Sequence, residues 1–131
     1  MNSEYKNMLV GIVDDDESVR AGTASLLRAA GYVTETFASA DAFLRSGDPH
    51  RFVCVVADIQ MPGISGIELA NRLGRDARPV PVILVTARTE ADVLAQAGAS
   101  SAAGVLRKPF AADRLLDCVL VCRAQTTSVA H

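Results

Sequence analysis

The sequence predicts an α/β fold, a doubly wound sheet of five parallel strands in the order 2-1-3-4-5, covered by five helices. Three observations predict it. Five short apolar runs, at 8–13, 32–37, 52–57, 80–85 and 103–106, alternate with stretches of helical periodicity, as in a parallel sheet with helices on both faces. The second run carries Thr34, Glu35 and Thr36, which suits an exposed edge, while the first, third and fourth suit the centre. Right-handed crossovers between parallel strands then favour the order 2-1-3-4-5.

The helices follow from periodicity and punctuation. Val19, Thr23, Leu26, Leu27 and Ala30 recur at helical spacing, so a first helix begins near Asp16, and Gly31 ends it in a left-handed conformation. Ser39 is a plausible N-cap for a second helix through Ala40-Asp41-Ala42-Phe43-Leu44, stopped by Gly47-Asp48-Pro49. Ile67, Ala70 and Leu73 mark a third. A fourth spans 90–97, anchored by only Val93 and Leu94 as large apolar residues. Leu115, Leu116, Val119 and Leu120 give a fifth amphipathic helix after Pro109-Phe110. Gly63 and Gly66 read as turn glycines.

The 131 residues, half of them hydrophobic, fit one domain with a real core. Residues 1–7 are expected as an N-terminal arm, 8–123 as the domain and 124–131 as a C-terminal tail, polar and frayed from Gln125. Thirteen basic against fifteen acidic residues give a net charge of −2, no electrostatic reason for nucleic acid binding. No apolar stretch reaches the roughly 20 residues that span a bilayer, and the first residues lack a secretion signal. A cytoplasmic location is expected. Cys54, Cys118 and Cys122 have no zinc-ribbon spacing and read as packing residues, not a disulfide scaffold.

Chemistry gathers at one sheet end. Asp58 directly follows the third run, and in an open parallel sheet the crevice outside the strands' carboxyl ends is where ligands bind. The strand order brings Asp14, Asp15 and Asp16 to the same end, with Thr86 and Lys108 from neighbouring strands. Carboxylates converging without basic neighbours persist when a hard cation neutralises them, and Mg2+ (or Mn2+) fits oxygen ligands shared with phosphate. Lys108 can pair with one phosphoryl oxygen and the Thr86 hydroxyl can donate to another, which leaves Asp58 as the nucleophile of an acyl phosphate. Singly, each group has a plainer reading: the acidic run as helix cap, Thr86 as turn residue, Lys108 as solvated lysine. Their conjunction favours phosphoryl chemistry.

Ile12-Val13-Asp14-Asp15-Asp16-Glu17, Asp58-Ile59-Gln60-Met61-Pro62-Gly63, Val85-Thr86-Ala87 and Lys108-Pro109-Phe110 together resemble the receiver domain of two-component response regulators. The resemblance covers roughly residues 8–123, with spacings similar to receivers preceding LuxR-type DNA-binding domains. It implies a flavodoxin-like receiver fold in which Asp58 is the phosphoacceptor. Asp15, Asp58 and the backbone carbonyl of Gln60 would hold the metal, and Asp14 would act through water. Thr86 would be the switch hydroxyl, Lys108 the partner of the phosphoryl group, and Lys108-Pro109 a cis bond. Asp16 and Glu17 carry no implied role. A sensor histidine kinase or phosphotransfer protein would be the donor, and a homodimer could form through helix 4, strand 5 and helix 5. The domain would catalyse only its own phosphorylation and dephosphorylation.

The chain departs from the family at Val105, where an aromatic usually swings inward with the switch hydroxyl. Valine cannot make that rotation, so the signal is expected to pass through the loop after Thr86 and the face of helices four and five. Ser101 stands where glycine is common, so the turn before strand five is expected to differ slightly. Gln60 and Arg88 flank the phosphoryl site as modulating positions, and Arg88 is long enough to cover the group and slow water attack.

Two other functions compete. A haloacid-dehalogenase-type phosphatase also uses an aspartate nucleophile with magnesium, but it needs an acid two residues later, where Gln60 cannot release a leaving group. A receiver-like module that only binds a partner is the other, favoured by Val105 and opposed by the retained Asp14, Asp15, Asp58, Thr86 and Lys108.

Overall fold

The computed structural model describes residues 8–129, with side chains described through residue 125. The expected arm at 1–7 and the last two residues of the expected tail lie outside that range. Five parallel strands, β1 (Leu9–Val13), β2 (Val33–Phe37), β3 (Cys54–Asp58), β4 (Val82–Thr86) and β5 (Gly104–Arg107), pair in the order β2-β1-β3-β4-β5. Five α-helices alternate with them: α1 (Glu17–Ala29), α2 (Ala40–Arg45), α3 (Gly66–Gly74), α4 (Ala91–Ala99) and α5 (Ala112–Val129). The fold and strand order are those the sequence predicts, and β2 is an edge, with Val33 43% exposed.

The strands sort their side chains with a period of two. Val10, Ile12, Cys54, Val56, Ile83 and Val85 face one way, into a core closed by Leu27 of α1 and Leu115, Val119 and Cys122 of α5. Val13, Val55, Ala57, Val82 and Leu84 face the other way, onto Phe43 of α2, Leu69 and Leu73 of α3, and Ala97 of α4. Being buried on both faces, the central strands are continuous apolar runs.

Caps set the helix starts. Asp16 accepts from Ser18 N and Val19 N at the head of α1, Ser39 from Ala42 N at α2, and Ser65 from Glu68 N at α3, each satisfying amides that a helix leaves unpaired. Gly31, at φ 98°, ends the α1 turn as expected. The Lys108-Pro109 bond is cis.

As expected, α2 ends at Arg45, with Ser46 as its cap and Gly47 next at φ 121°. Several other expectations are corrected. Pro49–Arg51 forms a short 3-10 turn, the fixed φ of Pro49 suiting a first helical position. Phe52 and Val53 therefore precede β3. Leu120 points outward at 55% exposure, while Cys122 takes the core position one turn after Val119. α5 runs to Val129, past the tail expected at 124 and its fraying from Gln125, because no glycine or proline interrupts the segment. In α4 the buried residue is Ala97, with Val93 packed only at the margin. Cys54 and Cys122 are buried in the same core and their thiols are hydrogen-bonded, with Cys118 packed beside them. Among the described residues, no helix is long and apolar enough to cross a membrane.

Candidate functional site

The strand register builds the site. Val13 pairs with Ala57 and Asp58 with Val85, so Asp14 and Asp58 leave adjacent strands at the same height. Val85 in turn pairs with Leu106, two residues before Lys108. Asp14, Asp58 and Lys108 thus point to the α1 and α5 side, above Ile12, Val56, Val85 and Phe110. Lys108 Nζ lies 3.1 Å from Asp14 Oδ2 and 3.5 Å from Asp58 Oδ2. One ammonium therefore spans both carboxylates, whose side chains are only 6% and 13% exposed.

Asp15 completes the cluster from the exposed side, with one oxygen each of Asp14, Asp15 and Asp58 lying within 4.8 Å of one another. The acidic run divides: Asp14 and Asp15 serve the cluster, while Asp16 caps α1. Lys108 is the one cation paired with these three side chains among the described residues. The excess negative charge, the oxygen-only donor set and the open side at Asp15 fit a hard divalent cation with retained waters.

Electrostatics match this geometry. Burial pushes the Asp58 carboxyl above its ordinary range; the Lys108 charge and the Gln60 amide, donating to Asp58 Oδ1 at 3.2 Å, oppose the rise, and Asp14 adds to it. Burial alone would lower Lys108, but its bonds and charges with Asp14 and Asp58 outweigh this and hold it above its ordinary value. A cation bound here would favour the ionised Asp58.

Thr86 sits apart from this trio. It ends β4 beside Asp58's partner Val85, and strand alternation turns it to the opposite face, with Leu84. It is fully buried, and its hydroxyl oxygen accepts from Arg88 N at 2.9 Å. Among the described residues, no hydrogen bond joins it to Asp58. Val105 pairs with Leu84 and lies on that same face, partly buried against the α3 and α4 core.

Arg88 does not cover the site in this arrangement. Its Nε donates to both Glu90 oxygens at 2.8 Å, because a carboxylate two residues away is its nearest counter-charge. The backbone of Gln60 is tied to Asp58 while its side chain stays exposed.

Sequence reasoning missed two residues. Gly66 is no turn glycine: it is the first residue of α3, and a Cβ there would collide with the backbone carbonyl of Asp58. Gly63, at φ 80°, is the true turn glycine. Arg20, early in α1, donates from Nη1 to the Asp14 carbonyl at 2.7 Å. Its signal in the sequence was an arginine six residues past the first acid, which a solvated helix face would explain equally well.

The profile of the response regulator receiver domain family matches residues 10–120. The transcriptional regulatory protein FixJ of Bradyrhizobium diazoefficiens is 36% identical over 104 residues, covering 79% of this chain and 51% of FixJ. Among solved structures, the response regulator StyR superposes with a TM-score of 0.83 at 37% identity, covering 93% of this chain and 62% of StyR. A response regulator receiver protein from Burkholderia phymatum superposes with a TM-score of 0.76 at 40% identity, covering 88% of this chain and 94% of its own. The chain spans about half the length of the curated relatives it matches.

Proposed function

Because this chain belongs to the response regulator receiver domain family, we propose that Asp58 accepts a phosphoryl group and thereby switches a protein-binding surface. The donor would be a sensor histidine kinase or phosphotransfer protein, in the cytoplasm. The observation that carries this reading is Lys108 Nζ spanning Asp14 and Asp58, with Asp15 closing the acidic trio.

An Asp58 oxygen bonds to phosphorus as the donor's phosphorus–nitrogen bond breaks, and the leaving imidazole takes a proton. Asp15, Asp58 and the Gln60 carbonyl would hold Mg2+ or Mn2+, with Asp14 acting through water. When bound, that ion supplies positive charge to the phosphoryl oxygens. Lys108 is placed to pair with another of those oxygens as its contact with Asp58 is exchanged. The Asp58 carboxylate, crowded by burial and by Asp14, starts close to its one cation, which limits rearrangement on reaction. The domain acts on itself alone, in gaining and losing this group.

Thr86 is the switch residue of this proposal. To donate to a phosphoryl group on Asp58 its hydroxyl must rotate toward the other side of β4, releasing the Arg88 amide. Arg88 would then modulate the site by leaving Glu90, an exposed pair that is weak and easily exchanged. Val105 shares the face of Thr86 but has too little reach to follow it. The signal would therefore run through the loop after Thr86 into α4, which buries only Ala97, and to the face of α4, β5 and α5, where a homodimer is the proposed readout.

Intact-mass measurement after incubation with Mg2+ and acetyl phosphate tests the reading. One phosphoryl group added, and none in Asp58→Asn, is expected. A chain that gains none from acetyl phosphate or a phosphorylated kinase is a binding module only, as Val105 would allow.

A further inference from the structure

The acidic turn between β1 and α1 is held from the helix that follows it. Arg20 reaches back so that its Nη1 donates to the Asp14 carbonyl at 2.7 Å. The rest of Asp14 is pinned as well. Its amide donates to Phe37 O at 3.1 Å, Oδ1 accepts from Asp16 N at 2.9 Å, and Oδ2 accepts from Lys108 Nζ at 3.1 Å. Asp15 has no such support: among the described residues no hydrogen bond or ion pair holds its exposed carboxylate. Its place within 4.8 Å of Asp14 and Asp58 depends on its backbone. The Asp14 carbonyl and the Asp15 amide form one planar peptide unit, so fixing the first fixes how the chain enters Asp15.

We propose that Arg20 is a positioning residue for the cation site, holding the peptide between Asp14 and Asp15 so that the Asp15 carboxylate is ready to share a divalent cation with Asp58. The inference rests on the reading of the acidic trio as a Mg2+ site. Two roles for Arg20 have opposite signs. As a nearby cation it would repel Mg2+, so its removal would tighten binding. As a positioning residue it favours binding, and outer partners of metal ligands typically matter by tenfold or more.

Calorimetric titration of the full chain with MgCl2 at fixed ionic strength separates the two. Arg20→Ala is expected to bind Mg2+ about tenfold more weakly, and Arg20→Lys, which keeps a charged donor, to recover part of the loss. Unchanged or tighter binding in Arg20→Ala overturns the inference, as does an effect confined to the unfolding temperature. Should Arg20→Ala be too unstable to titrate, Arg20→Met carries the comparison: it keeps the length of the side chain but removes both the charge and the donor to the Asp14 carbonyl, so weaker binding supports the inference and unchanged or tighter binding overturns it. A wild-type chain that takes up no Mg2+ overturns the site reading and the inference together. Wild-type binding with unaffected Arg20 variants overturns the inference alone.

Discussion

Gly66, at the start of α3, packs against the backbone carbonyl of Asp58 with no space for a methyl group between them. The loop from Asp58 to Gly66 is closed further by Gly66 N donating to Ile59 O at 3.1 Å. Glycine to alanine within a helix usually stabilises by about 0.5–1 kcal/mol. Here the opposing atom is main chain and cannot turn aside, so Gly66→Ala is expected to destabilise by about 1–3 kcal/mol. Its phosphorylation rate should fall further than its stability alone explains, because the displaced backbone carries Asp58. Denaturant unfolding and initial rates with acetyl phosphate check both parts.

Ser101 has a matching partner. A Cβ on Gly74 would collide with the Ser101 side chain, while Ser101 N donates to Asn71 Oδ1 at 2.9 Å. The serine that replaces the family's usual glycine is thus accommodated by the end of α3. Gly74→Ala is expected to cost about 1–3 kcal/mol through overpacking, and adding Ser101→Gly should recover most of it. A double-mutant cycle measures the coupling; additive effects would contradict the contact.

Asp58 carries a stability cost before any cation binds. Its carboxyl is held above the ordinary range chiefly by burial, so the ionised form at neutral pH is disfavoured in the fold. Asp58→Asn is therefore expected to raise the thermal unfolding midpoint at pH 7 in chelator. Adding Mg2+ should then raise the wild-type midpoint with concentration and leave the variant's nearly unmoved. Thermal scans with and without Mg2+ provide the check.

His50 clamps the opposite end of the sheet. Its Nδ1 lies 2.8 Å from Asp48 Oδ1, and its Nε2 lies 3.1 Å from Asp76 Oδ1 and 2.9 Å from Arg78 O. All three partners are acceptors, so both ring nitrogens must donate, which only the imidazolium can do. The bond to Asp48 is the main reason its pKa stands above the ordinary 6.5; burial opposes the rise, and Asp76 and the Arg78 carbonyl add to it. The stabilising contribution is fully present below 6.5 and is lost as pH rises through the folded value. The gap in unfolding midpoint between wild type and His50→Gln should be widest at acidic pH and close toward alkaline pH. A gap constant with pH would contradict the clamp.

The sheet was legible because its central strands are buried on both faces and read as uninterrupted apolar runs, whereas Thr34, Glu35 and Thr36 mark the edge. Asp14, Asp15, Asp58 and Lys108 were legible because each follows such a run and register brings strand ends together. The side chains' turning was harder to read. Which face Thr86 takes depends on where β4 ends, and a one-residue difference reverses it. Arg88 was expected over the site but meets Glu90 first, and the roles of Gly66 and Gly74 depend on close approaches between elements that local sequence does not encode.

Asp58 itself is proposed to carry the phosphoryl group. After incubation with Mg2+ and acetyl phosphate, borohydride reduction converts an aspartyl phosphate to homoserine, and peptide mass mapping locates it. Homoserine is expected at position 58, absent without Mg2+ and absent in Asp58→Asn. Modification at Asp14 or Asp15 instead, or no modification with any phosphodonor, would contradict it.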